Sequence, residues 1–168
     1  VGFIPNVIVT HPKSPLDNPP LYRLLGTIFH QMPRAEELCA QFQTAYDEAI
    51  AACAQLPRER VLYLIWKNPW MTVSRDTYIS RTLAAVGWDT VEIESPDRYP
   101  KLELTPDLLS RVDRVLLSSE PYAFREKHLE EVRGPLPARV SLIDGEMTSW
   151  YGSRAIEGMG YLARQRAG

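Results

Sequence analysis

Short apolar runs alternate with longer segments of helical periodicity along most of the chain. Runs rich in Val, Leu and Ile predict strands at 6–10, 61–66, 90–93, 114–118 and 139–143. Apolar positions three to four residues apart predict helices at 21–31, 34–55, 77–86, 125–132 and 149–165. A further helix is predicted to begin with Thr105 as its N-cap and Pro106 as its first residue. This alternation predicts a parallel sheet with helices on both faces.

The helix predicted at 34–55 is the longest in the chain. Leu38, Phe42 and Ala49 recur at helical spacing, and the alanine-rich composition favours helix. About 22 residues at ~1.5 Å per residue would span roughly 33 Å, which is about the diameter of a small domain. The predicted fold is therefore an α/β lobe of three layers with a parallel, Rossmann-like sheet, preceded by a long backbone helix.

Composition and charge are those of an ordinary globular protein. The 168 residues are 45% hydrophobic and 24% charged, and the formal net charge is −2. No basic block stands out, so a nucleic acid is not expected as a partner. No apolar stretch reaches the ~20 residues needed to cross a bilayer, and no signal-peptide pattern precedes the first apolar run.

Three aromatic, charged segments follow predicted strands. They read IWKNPWMTVSRDTY (residues 65–78), SSEPYAFREKH (residues 118–128) and DGEMTSWYGSR (residues 144–154). In a parallel α/β sheet, the loops after the carboxyl ends of the strands lie along one edge, where ligands bind. Side chains that are distant in sequence are therefore predicted to meet around one site.

The first segment contains two tryptophans. Trp66 ends an apolar strand, where it either caps the hydrophobic core or contacts a ligand, and the sequence leaves both interpretations open. Trp70 follows Pro69 in a loop, and loops carry function, which favours contact with a ligand or a partner. In the second segment, Glu120 stands beside Tyr122 and Phe124. A solvated helix start explains the charges there, but it does not explain two aromatic residues before the helix.

The third segment combines acids at the end of a strand with aromatic residues. Asp144 and Glu146 follow the strand, and helix capping accounts for one of them. Trp150 and Tyr151 are predicted to begin the last helix, and two adjacent large rings indicate a flat surface for a flat or bulky ligand. Arg154 would bind a carboxylate or phosphate with its guanidinium fork.

The common sequence signatures of catalysis are missing. There is no G-x-S-x-G, H-E-x-x-H, P-loop or G-x-G-x-x-G pattern. The histidines are His11, His30 and His128, and they are dispersed, without another metal ligand at metal-site spacing. We therefore predict binding and not catalysis, with no cofactor and no metal ion held by the protein itself.

Together, the three segments resemble the cobalamin- and siderophore-type substrate-binding proteins of bacterial ABC importers, also called class III binding proteins or helical-backbone metal receptors. RVLYLIWKNPWMTVSRDTYISRTLAAVG is similar to the first strand, ligand loop and helix of the C-terminal lobe in that family. YPKLELTPDLLSRVDRVLLSSEPYAFREKH resembles the middle of the lobe, and VSLIDGEMTSWYGSR resembles its last strand and loop. The resemblance covers most of the chain.

The resemblance implies a protein of two lobes with the ligand between them. It divides this chain into a remnant of the N-terminal lobe at 1–32, an interlobe backbone helix at 33–56 and a C-terminal α/β lobe at 57–168. Most of the N-terminal lobe is expected to be absent, with FIPNVIVTHP as its last strand. The ligand-binding residues of this lobe would be Trp66, Trp70, Tyr122, Trp150 and Tyr151, supported by Glu120 and Arg154.

The resemblance also implies a function, partners and a location. The protein would be the non-enzymatic substrate-binding component of an ABC importer for metal transport. Its ligand would be a corrinoid, haem or iron–siderophore, in which the ligand itself carries the cobalt or iron. Glu103 and Asp107 are the candidates for docking on the permease. The location would be periplasmic, or extracytoplasmic with a membrane anchor.

Two other functions remain open from the residues alone. Asp144 and Glu146 would be the acid and base of a small α/β enzyme if their carboxylates converged in a closed pocket with raised pKa values. Alternatively, the aromatic edge would bind a protein partner, because an exposed apolar patch favours association. We expect homodimerisation through that edge or through the long helix.

Overall fold

The structure is a computed structural model, and it describes residues 6–133 and 139–168. Two helices come first, α1 (Asn18–Ile28) and α2 (Met32–Cys53), and a 3-10 turn at Pro15–Asp17 precedes them. The later elements are β1 (Glu59–Leu64), β2 (Trp70–Met71), α3 (Tyr78–Ala85), β3 (Trp88–Thr90), β4 (Lys101–Leu102), α4 (Pro106–Ser110), β5 (Arg114–Ser118), α5 (Glu126–Arg133), β6 (Arg139–Ile143), α6 (Gly145–Ser149) and α7 (Arg154–Ala167).

Four strands form one parallel sheet in the order β3–β1–β5–β6. The first of them, β1, pairs with β3 on one side and with β5 on the other. The strand order therefore reverses between β1 and β5, which makes this position the topological switch point of the sheet. In open α/β sheets, ligands bind at the switch point. The short strands β2 and β4 form a separate antiparallel ribbon, in which Trp70 pairs with Leu102.

Each face of the sheet carries its own hydrophobic core. Along β1 the side chains alternate: Val61 and Tyr63 belong to the core that contains α2 and α7, while Leu62 and Leu64 belong to the core that contains α4 and α5. All four side chains are completely buried. Burial on both faces explains why this strand reads as a continuous apolar run, and it confirms the predicted three-layer α/β fold.

The long helix α2 spans 22 residues, close to its predicted bounds of 34–55. It packs against α1 and α7. Its buried face centres on Phe42, whose ring lies 6.4 Å from that of Tyr22 in α1 and 5.7 Å from that of Tyr46, measured between centroids. The first two helices therefore form a hairpin, and the aromatic contact between Tyr22 and Phe42 joins them to each other.

The strand predicted at 6–10 is wrong. Those residues have no regular secondary structure, and Val7, Ile8 and Val9 are 71%, 57% and 84% exposed. A strand needs a neighbouring strand for its backbone hydrogen bonds, and in the described part of the chain these residues pair with none. Residues 3–5 of the segment FIPNVIVTHP lie outside the described residues.

Four further elements differ from their predicted positions, and two of these are only shifted: β1 lies at Glu59–Leu64 instead of 61–66, and α1 at Asn18–Ile28 instead of 21–31. The strand predicted at 90–93 lies at Trp88–Thr90, because Glu59 of β1 pairs with Trp88 and sets its register. The helix predicted at 149–165 is divided into α6 and α7. Gly152 adopts a φ of 81°, in the left-handed region, and this interrupts the helix between them.

Candidate functional site

The loops after β1 and β5 lie against each other at the switch point of the sheet. The backbone amide of Tyr122 donates a hydrogen bond of 3.3 Å to the carbonyl oxygen of Ile65. The rings of Trp66 and Tyr122 meet edge to face, with centroids 5.5 Å apart. The first two aromatic segments therefore converge at the carboxyl edge, as the strand-end rule predicts.

The two tryptophans of the first segment have different surroundings. Trp66 is 40% exposed, so its ring is open to solvent at this edge. Trp70 is half-buried and stacks on the buried ring of Phe124, with centroids 6.0 Å apart and planes 3° apart. Lys67 places its Nζ 5.8 Å from the centre of the Trp70 ring. Trp70 is therefore part of the wall beneath the edge, and Trp66 lies on the edge itself.

The third segment joins this edge through Trp150 and Glu120. The Trp150 indole Nε1 donates a hydrogen bond of 3.1 Å to Glu120 Oε2, although the two residues lie on loops after different strands. Trp150 is 52% exposed and Tyr151 is 45% exposed. The prediction that they begin a helix is wrong, since both lie in the connection between α6 and α7.

Arg154 is occupied by two carboxylates of its own lobe. Its guanidinium lies 2.5 Å from Glu146 and 2.8 Å from Glu157. It remains 40% exposed at the first turn of α7. The charge that the sequence indicated for a ligand is thus already paired in this structure.

The carboxylates of the enzyme hypothesis have structural roles. Asp144 Oδ1 accepts hydrogen bonds from the backbone amides of Glu146 and Met147, at 2.9 and 3.2 Å, and so caps α6. Glu146 forms the ion pair with Arg154. The two acids therefore do not face one another as an acid and a base. Among the described residues there is also no cluster of three or more side chains suited to a metal ion.

A buried hydroxyl network supports the Glu120 loop from below. Tyr63 Oη donates a hydrogen bond of 2.9 Å to Ser118 Oγ, which donates in turn to the backbone oxygen of Glu120 at 2.6 Å. Thr148 of α6 completes the group by its contact with the Tyr63 hydroxyl. Burial raises the pKa of Tyr63 to about 12, so this hydroxyl remains protonated. The sequence analysis missed these residues because each lies in an ordinary strand or helix and belongs to no motif.

The N-terminus of α6 packs tightly on the same loop. A Cβ atom at Gly145 would lie 2.4 Å from Ser118 Oγ and 2.7 Å from the backbone nitrogen of Glu120. The Gly145 amide also donates a hydrogen bond of 2.9 Å to Ser119 Oγ. Only glycine allows this approach, and it places the loops after β5 and β6 in direct contact.

The surface beside the exposed rings is concave. A depression of about 380 Å³ is lined by Ser149, Trp150 and Tyr151, a volume within the range of small-molecule sites. A larger depression of about 450 Å³ lies between α3 and β3. Three of its charged side chains are already paired, Arg60 with Asp113, Arg75 with Glu92 and Asp89 with Arg58, and no aromatic ring lines it. We therefore place the candidate site at the aromatic edge.

The two acids considered for docking lie at the start of α4. Glu103 and Asp107 are both exposed. Asp107 is 3.6 Å from Arg111 in an exposed ion pair. Glu103 directly follows β4, whose Leu102 pairs with Trp70, so it lies beside the ribbon.

No protein-family model matches this chain, and no curated protein is similar to it. Solved structures are similar. A possible iron-binding, periplasmic solute-binding protein from Staphylococcus epidermidis superposes with a TM-score of 0.76 at 17% identity, covering 95% of this chain and 64% of that one. The periplasmic vitamin B12 binding protein BtuF of Vibrio cholerae gives 0.73 at 12% identity, covering 93% and 62%.

The periplasmic haem-binding protein RhuT from Roseiflexus sp. gives a TM-score of 0.69 at 18% identity, covering 93% of this chain and 64% of that one. At such low sequence identity, these superpositions establish the fold alone. The fold agrees with the one that the sequence resemblance implied. The chain spans less than two thirds of the length of these solved chains.

Proposed function

We propose that this chain, which has the fold of the class III periplasmic binding proteins, acts in the substrate-binding component of an ABC importer. One observation supports this most: three separate loops are joined at the carboxyl edge, where Trp66 contacts Tyr122 and Trp150 donates a hydrogen bond to Glu120. Open α/β sheets bind ligands there, and the acids nearby are engaged in capping and ion pairs. The function is therefore binding without catalysis.

The ligand class follows from the surface that the rings form. Trp66, Trp150 and Tyr151 are each exposed by 40% or more, so a large ligand with apolar faces would bury them. We infer a corrinoid, haem or iron–siderophore, in agreement with the vitamin B12, haem and Fe3+-hydroxamate systems named among the similar structures. Glu120 would fix the orientation of the ligand, and Arg154 would assist by exchanging one of its carboxylate partners.

The aromatic edge forms one wall of the proposed site. In our proposal, residues 57–168 are a C-terminal lobe, 33–56 the backbone helix and 1–32 part of an N-terminal lobe, with the ligand between the lobes. Trp70 would act as support for this wall, since it stacks on Phe124 beneath the surface. Binding is expected to be weaker in this chain alone than in a form with a complementary lobe restored.

Isothermal titration calorimetry with cyanocobalamin, haemin and a ferric hydroxamate siderophore tests the proposal. The titrations use this chain and a form with the complementary lobe restored. At least one ligand should bind, and Tyr151→Ala should weaken its binding. Tyr99→Ala is the matched control, because Tyr99 is 44% exposed and Tyr151 is 45% exposed, but Tyr99 belongs to none of the three aromatic segments. Absence of binding by all three ligands to the restored form would refute the proposal.

The proposed partner is an ABC transporter permease, and the proposed location is extracytoplasmic. Glu103 and Asp107 would contact the permease, since both are exposed and neither contributes to the hydrophobic core. Charge reversal at Glu103 should reduce ligand uptake in cells without changing ligand affinity. In the described part of the chain, no helix is long and apolar enough to cross a membrane.

Homodimerisation remains a second proposal about partners. It is favoured by the exposed rings of Trp66, Trp150 and Tyr151 and by Phe29, which is 66% exposed at the end of α1. Multi-angle light scattering over a range of concentrations should detect a dimer. A monomer at high concentration would contradict this proposal and leave the transport function unaffected.

A further inference from the structure

Two buried side chains of α1 bind the backbone of Gly152, one at its amide and one at its carbonyl group. The Gly152 amide donates a hydrogen bond of 2.7 Å to Asn18 Oδ1, and Tyr22 Oη donates one of 2.8 Å to the Gly152 carbonyl oxygen. Asn18 is completely buried and Tyr22 is 3% exposed. Burial raises the pKa of the Tyr22 phenol, so it remains a hydrogen-bond donor. We call Asn18 and Tyr22 the Gly152 clamp.

The same asparagine also supports the ring beside the clamp. Its Nδ2 donates to the Pro15 carbonyl oxygen at 2.8 Å and to Tyr78 Oη at 3.1 Å. Tyr78 then meets the ring of Tyr151 edge to face, with centroids 6.0 Å apart. The amide of Asn18 thus uses both donor hydrogens and its oxygen in three bonds. One side chain therefore fixes the backbone of the loop and the support of its aromatic residue.

The loop needs such a support because its own contacts are exposed. Residues 150–153 connect α6 to α7, and Trp150 and Tyr151 are about half exposed. The hydrogen bond between Trp150 and Glu120 lies in solvent, where water competes with it. The clamp bonds, in contrast, come from two buried side chains and hold Gly152 at a φ of 81°. The backbone of the loop is therefore held from α1.

The clamp connects the ring-bearing loop to the helical hairpin. Tyr22 packs its ring on Phe42 of α2, with centroids 6.4 Å apart, while its hydroxyl holds Gly152. A displacement of the α1–α2 hairpin relative to the sheet would therefore move the Gly152 peptide and the two rings beside it.

We propose that Asn18 and Tyr22 are positioning residues of the ligand site, which couple the α1–α2 hairpin to Trp150 and Tyr151 through the Gly152 peptide. The inference rests on the proposed function for the statement that these rings contact a ligand. Neither clamp residue touches the ligand; both act on it through the loop.

The first test requires no ligand. Tyr22→Phe removes one hydroxyl and leaves the ring on Phe42, and Tyr46→Phe is the matched control because its ring also packs on Phe42. In Tyr22→Phe the Gly152 amide keeps its bond to Asn18, but the Gly152 carbonyl oxygen loses the Tyr22 donor and the loop opens more easily, so amide exchange at Gly152 should accelerate ~5-fold. With 5-fluorotryptophan incorporated, the 19F resonance of Trp150 should shift while that of the buried Trp88 stays in place, which shows that the fold is intact.

A second variant separates the two functions of the asparagine. Tyr78→Phe removes the hydroxyl that accepts from Asn18 Nδ2 and leaves the bonds of Asn18 to the Gly152 amide and to the Pro15 carbonyl oxygen in place. Exchange at Gly152 should remain close to that of the parent protein, while the contact of the ring at position 78 with Tyr151 is perturbed in aromatic NOE spectra. Unchanged Gly152 exchange and an unchanged Trp150 resonance in Tyr22→Phe would overturn the inference.

The third test uses the ligand that binds in the calorimetric panel of cyanocobalamin, haemin and ferric hydroxamate. Tyr22→Phe should increase its dissociation rate constant ~3- to 10-fold, because the rings must be ordered again for each binding event, and Tyr46→Phe should not. An unchanged dissociation rate in Tyr22→Phe would refute the coupling to the ligand site. If no ligand binds the form with the complementary lobe restored, the proposed function fails, while the exchange and 19F measurements still decide whether the clamp positions the loop.

Discussion

Two pairs of tryptophan and glutamate lie at opposite ends of the parallel sheet. At the amino end, Trp88 Nε1 donates to Glu59 Oε2 at 2.9 Å. At the carboxyl end, Trp150 Nε1 donates to Glu120 Oε2 at 3.1 Å. The bonds are chemically the same, but Trp88 is 1% exposed and Trp150 is 52% exposed. The environment therefore decides which pair holds the fold together and which one is accessible to a ligand.

The amino-end pair belongs to a buried charge network. Glu59 also accepts from Arg114 Nε at 2.9 Å and lies 3.3 Å from Arg166. Both guanidinium groups lie over the Trp88 ring, at 5.5 and 5.9 Å from its centre. Removal of any one member of this network would leave a buried charge or a buried hydrogen-bond donor without its partner. The carboxyl-end pair has water as an alternative partner.

The largest expected effect is on the amino-end pair. Glu59→Gln should lower the free energy of unfolding by about 3 kcal/mol, because it leaves two buried guanidinium groups without their counter-charge. Urea denaturation measures this change. The same substitution in the other pair, Glu120→Gln, should change the free energy of unfolding by no more than about 0.5 kcal/mol. Equal effects would show that burial does not distinguish the two pairs.

The next largest effect on stability is expected at the close contact between Gly145 and the Glu120 loop. Gly145→Ala should lower the free energy of unfolding by about 2 kcal/mol, since its Cβ would overlap the Glu120 backbone. Gly160→Ala is the control, because the nearest atom to its Cβ would be Arg164 Nη1 at 3.4 Å, the end of a flexible side chain. The control should be neutral or stabilising by up to about 1 kcal/mol. Thermal unfolding of both variants, together with the Trp150 fluorescence, checks the prediction.

The third prediction concerns how the free energy of unfolding depends on pH. Burial alone would raise the pKa of Glu59, but hydrogen bonds from Arg114 and Trp88 and the charges of both arginines outweigh it and hold the pKa below the usual 4.5. Because the folded-state pKa is the lower one, this group stabilises the fold fully above about pH 4.5. The contribution is lost as the pH falls through the folded-state pKa.

The destabilisation caused by Glu59→Gln should therefore shrink as the pH is lowered from 5 towards 3. Urea denaturation of the parent and the variant at several pH values measures the difference. A difference that stays constant over this range would contradict a lowered pKa of Glu59.

The smallest effect on stability is expected for Trp150→Phe. The change removes one hydrogen bond at an exposed position, so the free energy of unfolding should change by no more than about 0.5 kcal/mol. Affinity for the ligand found by calorimetry should nevertheless fall, because the larger indole ring and its N–H are lost from the site. A large loss of stability here would mean that the carboxyl-end pair is structural as well.

Much of the fold could be predicted from local patterns. The strands at 114–118 and 139–143 have their predicted bounds, because each apolar run is limited by charged residues and its register agrees with its neighbour. Thr105 caps α4 as predicted, since its side chain accepts from the Leu108 amide at 3.2 Å. These features depend on a few adjacent residues, which the sequence contains in full.

The structure differs from the sequence predictions where contacts between residues distant in the chain determine it. The break at Gly152 depends on Asn18 and Tyr22, more than 100 residues earlier in the chain. The convergence of three loops could be predicted from the order of strands and loops. The burial of Trp70 against Phe124 and the pairing of Arg154 with Glu146 could not, because both depend on side-chain packing across different elements.

The clamp on Gly152 also has a consequence for evolution. Asn18 and Tyr22 hold the backbone of Gly152 and not the side chains that precede it. The side chains at positions 150 and 151 can therefore vary while the backbone that presents them is kept. If these side chains contact a ligand as we propose, substitutions at the two positions would change the ligand preference of the site without a change in its backbone.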